Sequence, residues 1–583
     1  MTTVSNGSAP ATVTVELLAA DLAGRAEAIA AGLAAERVAS RLTAQDPTLW
    51  GPDAEPEASI RLAWTALHET SRPLLAEIDA LAAELHAEGV DRVVLAGMGG
   101  SSLAPEVICA TAGVPLVTLD TTDPGQVADA LAGDLGRTVL VVSSKSGSTV
   151  ETDSHRRAFT AAFEAAGIDA ASRIVVVTDP SSPLAATAEQ AGYRRVFLAD
   201  PDVGGRYSAL TAFGLVPSGL AGVDVSVLLD DAAAAAAVLE VDAVGHGGQG
   251  PAFTDNPALR LAGAFGAAHA AGAEKIVLAD SGSRIRGLGD WAEQLIAEST
   301  GKEGTGLLPV VVEGVDAPGF ADAGNDATPV AIGPAAGAAA VSVSGPLGAQ
   351  FLVWEYATAV AGRLLGINPF DQPDVEAAKK AARALLDNFA AGAPADAGEP
   401  RFTDGEIAAF AGDWLPAGVT TVPDAIAALL AAVPDHGYLA VQAYLDRIAD
   451  ASTAVLRAEL ARRGASQVTF GWGPRFLHST GQYHKGGHPN GAFLQLTGDV
   501  DADLDVPGRP YTFARLQLAQ ALGDGQVLSE RGRPVLRLHL VDRVGGLVQL
   551  VKAVQSLTPP AERGPITPPA ERGPMTPSTD GDQ

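Results

Sequence analysis

Cysteine is almost absent. Cys109 is the only one in 583 residues, so no intrachain disulfide can form and nothing asks for an oxidising compartment. Basic residues are short as well: 39 Lys and Arg stand against 69 Asp and Glu, a formal charge of −30. Such a field opposes attraction to nucleic acid or to an anionic membrane surface, and neither partner is expected. Long apolar runs are also missing. The apolar residues fall in runs of about five or six, far from the span of about 20 that crosses a bilayer. The first residues, MTTVSNGSAPATVTVELL, lack the basic start and following apolar stretch of a secretory leader. These absences together predict a cytosolic protein.

The acidity also sets a condition on any phosphorylated ligand, which would approach against the overall field. An anion site has to be built locally, from backbone N–H groups, hydroxyls and a few placed cations.

The chain is long enough for about two to four domains at roughly 100 to 200 residues each. Residues 13 to 90 read as helical, with LLAADLAGRAEAIAAGLAAERV and RPLLAEIDALAAELHAEG carrying apolar positions three and four apart. At residue 91 the texture changes to β-branched runs followed by a turn and a helical stretch. The runs are RVVLA at 92–96, PLVTL at 115–119, TVLVV at 138–142, RIVVV at 173–177 and RRVFL at 194–198, and strands alternating with helices predict a parallel sheet covered on both faces. A second cycle begins near residue 250 with NPALRLAGAFGAAHAAG as helix, KIVLA as strand, a helix around 290–299 and LPVVV as strand. From about 400 to 550 the elements are mixed, with TFGWG and VLRLHLV as strand candidates. After residue 557 comes a nine-residue repeat, TPPAERGPI then TPPAERGPM, which has no apolar period and is expected to be disordered.

Two loops carry the chemistry. AGMGGSS at 96–102 follows a strand and precedes a helix, where glycines admit a ligand to the backbone and a helix start offers N–H groups. Gly97 and Gly99 match the first two glycines of a dinucleotide fingerprint, and Ser102 at the third weakens that reading against a sugar or phosphate loop or a tight structural turn. SSKSGSTVET at 143–152 places Ser144, Ser146, Ser148 and Thr149 with Lys145 at another strand-to-helix turn. These groups can surround a phosphate monoester, and the bland alternative is a serine-rich capping turn. The glycine-rich order of a nucleoside triphosphate loop is absent.

GMGGSS, SKSGSTVET, GGRYS at 204–208, QLIAESTGKEGTG at 294–306 and GINPFDQPDVEAAK at 366–379, taken in this order, resemble the glucose-6-phosphate isomerase family. The resemblance covers roughly residues 55–380 and continues less regularly to 550. It implies an α/β fold of two doubly wound parallel-sheet sugar isomerase domains, at 86–240 and 241–556, the second with an additional or rearranged segment at about 400–550. A helical N-terminal region at 1–85 and the disordered tail at 557–583 complete the expected organisation. It further implies a phosphorylated sugar as substrate, no cofactor and no metal, and a homodimer. By motif match, Ser144, Lys145, Ser146 and Thr149 would hold the phosphate, with Gly99, Gly100, Ser101 and Gln294 near the substrate. Glu298 would be the proton-shuttling base, Arg206 would sit close to the reacting carbons, and Lys379 would assist ring opening.

The residue types suit that chemistry on their own terms. A carboxylate can take a proton from one sugar carbon and return it to the next, and a guanidinium can face the charge that develops on oxygen between the two steps. Out of context, Glu298 would read as a solvated helix face and Arg206 as half of a salt bridge. The family's histidine motif is expected between the glutamate and lysine motifs, yet residues 307–366 contain no histidine. The best match is His478 in RFLHSTGQYHKGGH. His484 and His488 lie in the same segment, without the neighbouring carboxylate that a zinc or iron site would want, and with Lys485 they suit an anion-handling loop. Two further readings are a noncatalytic phosphosugar-binding regulator and an isomerase of another hexose phosphate such as mannose 6-phosphate. A regulator would need the phosphate loop but not Glu298, Arg206 and Lys379 together.

Overall fold

The computed structural model describes residues 13–246, 252–390, 398–464 and 466–558; the proline-rich repeat lies outside them. Three parallel or mostly parallel sheets organise the chain. The first runs, in spatial order, Val117–Leu119, Arg92–Gly97, Thr138–Ser143, Ile174–Thr178 and Arg195–Leu198, all parallel. Thr138–Ser143 is buried along its whole length, as a central strand covered by helices on both faces must be. Chain order reverses between Arg92–Gly97 and Thr138–Ser143. Both candidate loops leave the carboxyl ends of these two strands, the place where open α/β sheets form their ligand crevice.

The second sheet orders Val341–Ser344, Ala327–Ile332, Lys275–Asp280 and Leu308–Val311 in parallel, with Thr14–Leu17 added antiparallel at the edge. The helical reading of residues 13 to 90 therefore fails at its first residues. VTVEL alternates, which suits a strand, and Val13 and Val15 are buried while Thr14 and Glu16 are exposed. From Ala20 to Ala87 the region is helical apart from short turns, as expected.

The segment from 400 onward forms a third sheet, in which the strand candidates TFGWG and VLRLHLV fall on Gln467–Trp472 and Val535–Leu540. Val535–Leu540, Gly491–Gly498, Tyr438–Ala443 and Gln467–Trp472 are parallel, and the hairpin of Phe402–Asp404 and Ile407–Ala411 closes one edge antiparallel. One face has its own apolar core around Ile426, Leu429, Leu494 and Leu538. The other packs through Tyr438 and Phe493, together with Leu528 of the helix Phe513–Glu530, onto Val277, Leu308 and Val310 of the second sheet. Val506 and Phe513 cross to the outer face of the first sheet, packing with Phe159 and Phe163.

Ion pairs fix the third unit on the first. Arg475 Nη1 meets Glu106 Oε2 at 2.5 Å and Asp120 Oδ2 at 2.8 Å, and Arg447 Nη1 meets Glu106 Oε1 at 2.7 Å. Desolvation alone would raise the Glu106 carboxyl, but the two guanidiniums outweigh it and hold the group at about 2. Arg475 opens the 3₁₀ turn Arg475–His478, so this contact also places His478.

Candidate active site

A cavity of about 280 Å³ lies where the three units meet. One wall is the turn after Thr138–Ser143, with Ser146, Ser148 and Thr149; the others bring Lys379 and Arg383, His478, Lys485 and Gln520. The helix Val150–Ala165 starts at this wall, and Thr149 does not cap it with its side chain. Thr149 Oγ1 instead lies 3.0 Å from Ser144 Oγ, and Ser144 Oγ accepts from the Gly147 N–H at 3.2 Å. The first N–H groups of the helix keep their donor capacity for an anion.

Not every residue of that motif faces the cavity. Ser144 lies beneath the turn, 3% exposed, and shapes it. Lys145 points the other way: its ammonium meets Asp179 Oδ2 at 2.5 Å and donates to the Pro201 carbonyl at 3.2 Å. Lys145 is thus not among the lining residues, because the neighbouring strand Ile174–Thr178 delivers a carboxylate that captures it.

His478 joins this cavity to a second group of side chains. Gln294 Nε2 donates to the His478 carbonyl at 2.8 Å and to Glu298 Oε2 at 3.2 Å. Glu298 Oε2 lies 3.7 Å from Arg206 Nη1, with the two side chains 12% and 2% exposed. Burial is the largest influence on Glu298 and raises its pKa, while Arg206 and then His478 oppose the rise. Gln294 and Glu298 share one face of the helix Leu288–Thr300 because they are four residues apart.

Arg206 is fixed from all sides. Its Nε donates to Ser299 Oγ at 2.8 Å, Nη1 to Gln372 Oε1 at 3.0 Å, and Nη2 to the carbonyls of Pro369 at 2.5 Å and Asp371 at 3.1 Å. The turn Gly99–Ser101 packs directly on these groups. Gly99 has φ +55°, and a Cβ there would lie 2.7 Å from the His478 carbonyl oxygen and 2.8 Å from Gln294 Nε2. A Cβ on Gly100 would lie 1.9 Å from the Gly205 carbonyl oxygen. Both positions need glycine for close approach, and Ser101 is buried beside them.

His478 Nε2 lies 3.0 Å from Glu151 Oε1, and Gln520 Nε2 donates to the same oxygen at 2.6 Å. Burial works to raise the Glu151 carboxyl, but His478 and the groups around it reverse this and the pKa falls. Sequence reading missed Glu151 and Gln520. Glu151 stood inside the SKSGSTVET motif, and only its partner 327 residues away gives it meaning. Lys379 lines the cavity and donates to Glu376 Oε1 at 2.9 Å.

The other two histidines stand apart from this arrangement. His484 is buried, with Nδ1 3.0 Å from the Tyr438 hydroxyl and its pKa pushed down to about 3 by burial. His488 pairs with Glu274 outside the cavity. Of the anion-handling loop expected from His484, His488 and Lys485, Lys485 alone lines the cavity, and its ammonium meets Asp524 Oδ1 at 2.5 Å. Among the described residues, no group of three or more His, Cys, Asp and Glu is arranged to hold a metal ion, and no helix is long and apolar enough to cross a membrane.

A cavity of mixed polar and apolar lining at the switch point of a doubly wound sheet, backed by a largely buried carboxylate against a guanidinium, suits the class that the relatives define: an α/β phosphosugar isomerase. The probable glucose-6-phosphate isomerase of Haloarcula marismortui is 32% identical over 365 residues, 53% of this chain and 80% of that protein. The glucose-6-phosphate isomerases of Synechococcus sp. strain JA-3-3Ab and Geobacter sp. strain M21 are 32% and 33% identical over 272 residues each, 44% of this chain. The match spans about half the length of these two bacterial relatives, 48% of each. Among solved structures, a hypothetical protein from Thermus thermophilus aligns with a TM-score of 0.52 and 26% identity, over 64% of this chain and 100% of that one. No family model matches the chain. The chain belongs to the glucose-6-phosphate isomerase family.

Proposed function

We propose that this chain interconverts glucose 6-phosphate and fructose 6-phosphate through an enediol, as a cytosolic step of glycolysis and gluconeogenesis that needs no cofactor. The observation that carries the reading is the Glu298 carboxylate held 3.7 Å from the Arg206 guanidinium with little water around either. Burial raises the pKa of Glu298 and so makes it a stronger base once ionised. Positioned general bases of this kind contribute about 10² to 10⁴ in rate. Arg206 keeps its proton and faces the charge that develops on the enediol oxygens.

Ring opening falls to His478 and Lys379. His478 is oriented by Glu151, so one ring nitrogen is committed and the other is left to exchange a proton with the ring oxygen. Ser146, Thr149 and the start of the helix Val150–Ala165 take the phosphate. Ser144 and Lys145 hold that turn in shape from beneath and behind. Gly99, Gly100 and Ser101 let the sugar approach the backbone, and Gln294 orients Glu298.

A coupled assay of fructose 6-phosphate converting to glucose 6-phosphate, run with a metal chelator, tests the reading. Conversion is the expected result. Calorimetric binding of both sugar phosphates with no conversion would make the chain a phosphosugar-binding regulator instead.

A further inference from the structure

Lys302 follows the helix of Glu298 in the stretch ESTGKEGTG and has no part in the roles assigned above. Its side chain is 1% exposed. The ammonium donates to the Asn368 carbonyl at 2.7 Å, the Asp371 carbonyl at 2.6 Å and Asp371 Oδ1 at 2.7 Å. Three donors meet three acceptors, so the group is fully used.

The same turn is what holds Arg206. The guanidinium reaches Pro369 and Asp371 through their carbonyls and Gln372 through its side chain, and the Asp371 carbonyl is shared by both cations. Two buried positive charges this close repel each other. Only the converging oxygens of the turn make the arrangement favourable, and each cation therefore depends on the geometry that the other imposes on residues 368–372. The helix Val375–Ala390, which carries Lys379, begins three residues after that turn.

We propose that Lys302 is a positioning residue for the isomerisation: its ammonium fixes the Asn368–Asp371 turn, and that turn fixes the Arg206 guanidinium against Glu298. The inference rests on the functional reading given above. Burial, and after it Arg206, holds the Lys302 pKa down to about 8, with Asp371 and Glu298 acting in the opposite sense. These three are the charged groups that face it, from the turn Gly205–Tyr207, from the 368–372 turn and from the helix Leu288–Thr300. Below that pH the ammonium keeps three donors. Above it, the neutral amine turns a lone pair toward one of three oxygens, and the turn is released.

The test is the pH dependence of kcat and KM for fructose 6-phosphate in the wild type, Lys302→Met and Asp371→Asn, with melting temperature as a check on folding. In Lys302→Met, kcat should fall by about 10- to 100-fold, the size expected when a catalytic group is displaced by about 1 Å. KM should stay within about threefold, because the phosphate wall is untouched. The wild type should lose kcat as pH rises through about 8, and the methionine variant should lack that limb. Asp371→Asn removes the carboxylate that favours the charged amine, so its limb should move to lower pH; this arm stands even if Lys302→Met does not fold. A methionine variant with wild-type kcat, a change confined to KM, or an alkaline limb that neither substitution alters overturns the proposal. A wild type without isomerase activity overturns the functional reading and this inference together, whereas an active wild type with unaffected variants overturns this inference alone.

Discussion

The two walls of the cavity are built in opposite ways. The wall from the first sheet is local: Ser146, Ser148 and Thr149 fall within four residues, and on the proposed reading the turn would hold an anion through hydroxyls and the backbone. The wall from the third unit is assembled at long range. His478 reaches the cavity because Arg475 is anchored on Glu106 and Asp120 of the first unit, and its ring is paired with Glu151. An anion needs many weak donors, which one turn can supply. A proton transfer needs one group at one place, and the whole fold has to set that place.

The comparison can be broken most severely from the side of the single groups. Glu298→Gln should lower kcat by about 10² or more while sugar-phosphate binding by calorimetry stays largely intact, since the amide keeps the shape and loses the base. Turnover within about threefold of wild type would remove Glu298 from the mechanism. His478→Ala should slow the cyclic substrate far more than an open-chain analogue. Equal impairment on both would assign the histidine a general positioning role.

A smaller contrast is expected between the two lysines of the motifs. Lys379→Ala should impair turnover more than Lys145→Ala, because Lys379 lines the cavity and Lys145 is held by Asp179. Steady-state kinetics of the two variants checks this, and the reverse order would mean that the turn reorients on binding. The mildest effect concerns pH. With the Glu298 pKa raised above 4.5, the base is ionised above its raised value and protonated below it. The acid limb of kcat/KM should therefore lie higher than an ordinary glutamate allows, and a limb at about 4 would contradict the burial argument.

How much of this could be read from the sequence follows the same division. The five strands of the first sheet were legible because each is a short β-branched run bounded by turns. Tyr438–Ala443 and Gly491–Gly498 were not, because each carries a glutamine mid-strand. Gln442 and Gln495 are buried, and Gln495 Nε2 donates to Gln442 Oε1 at 3.1 Å, so a polar residue that looks like an interruption finds a partner across the sheet. The candidate loops were legible as motifs, whereas the outward turn of Lys145 was not, since Asp179 lies 34 residues away. His478 was found by a local match. Its place in the chain depends on a third sheet of which only TFGWG and VLRLHLV were legible as strands.

Glu298, Arg206, Lys379 and His478 are brought together within a single chain, and on the proposed function each polypeptide would then carry its own set of reacting groups. A genetic consequence follows. Mixing Glu298→Gln chains with His478→Ala chains, or expressing both together, should restore no activity beyond the sum of the two, because no exchange of subunits can reunite an intact glutamate with an intact histidine. Recovery toward a quarter or a half of wild-type turnover in the mixture would mean that the histidine acts on a neighbouring copy.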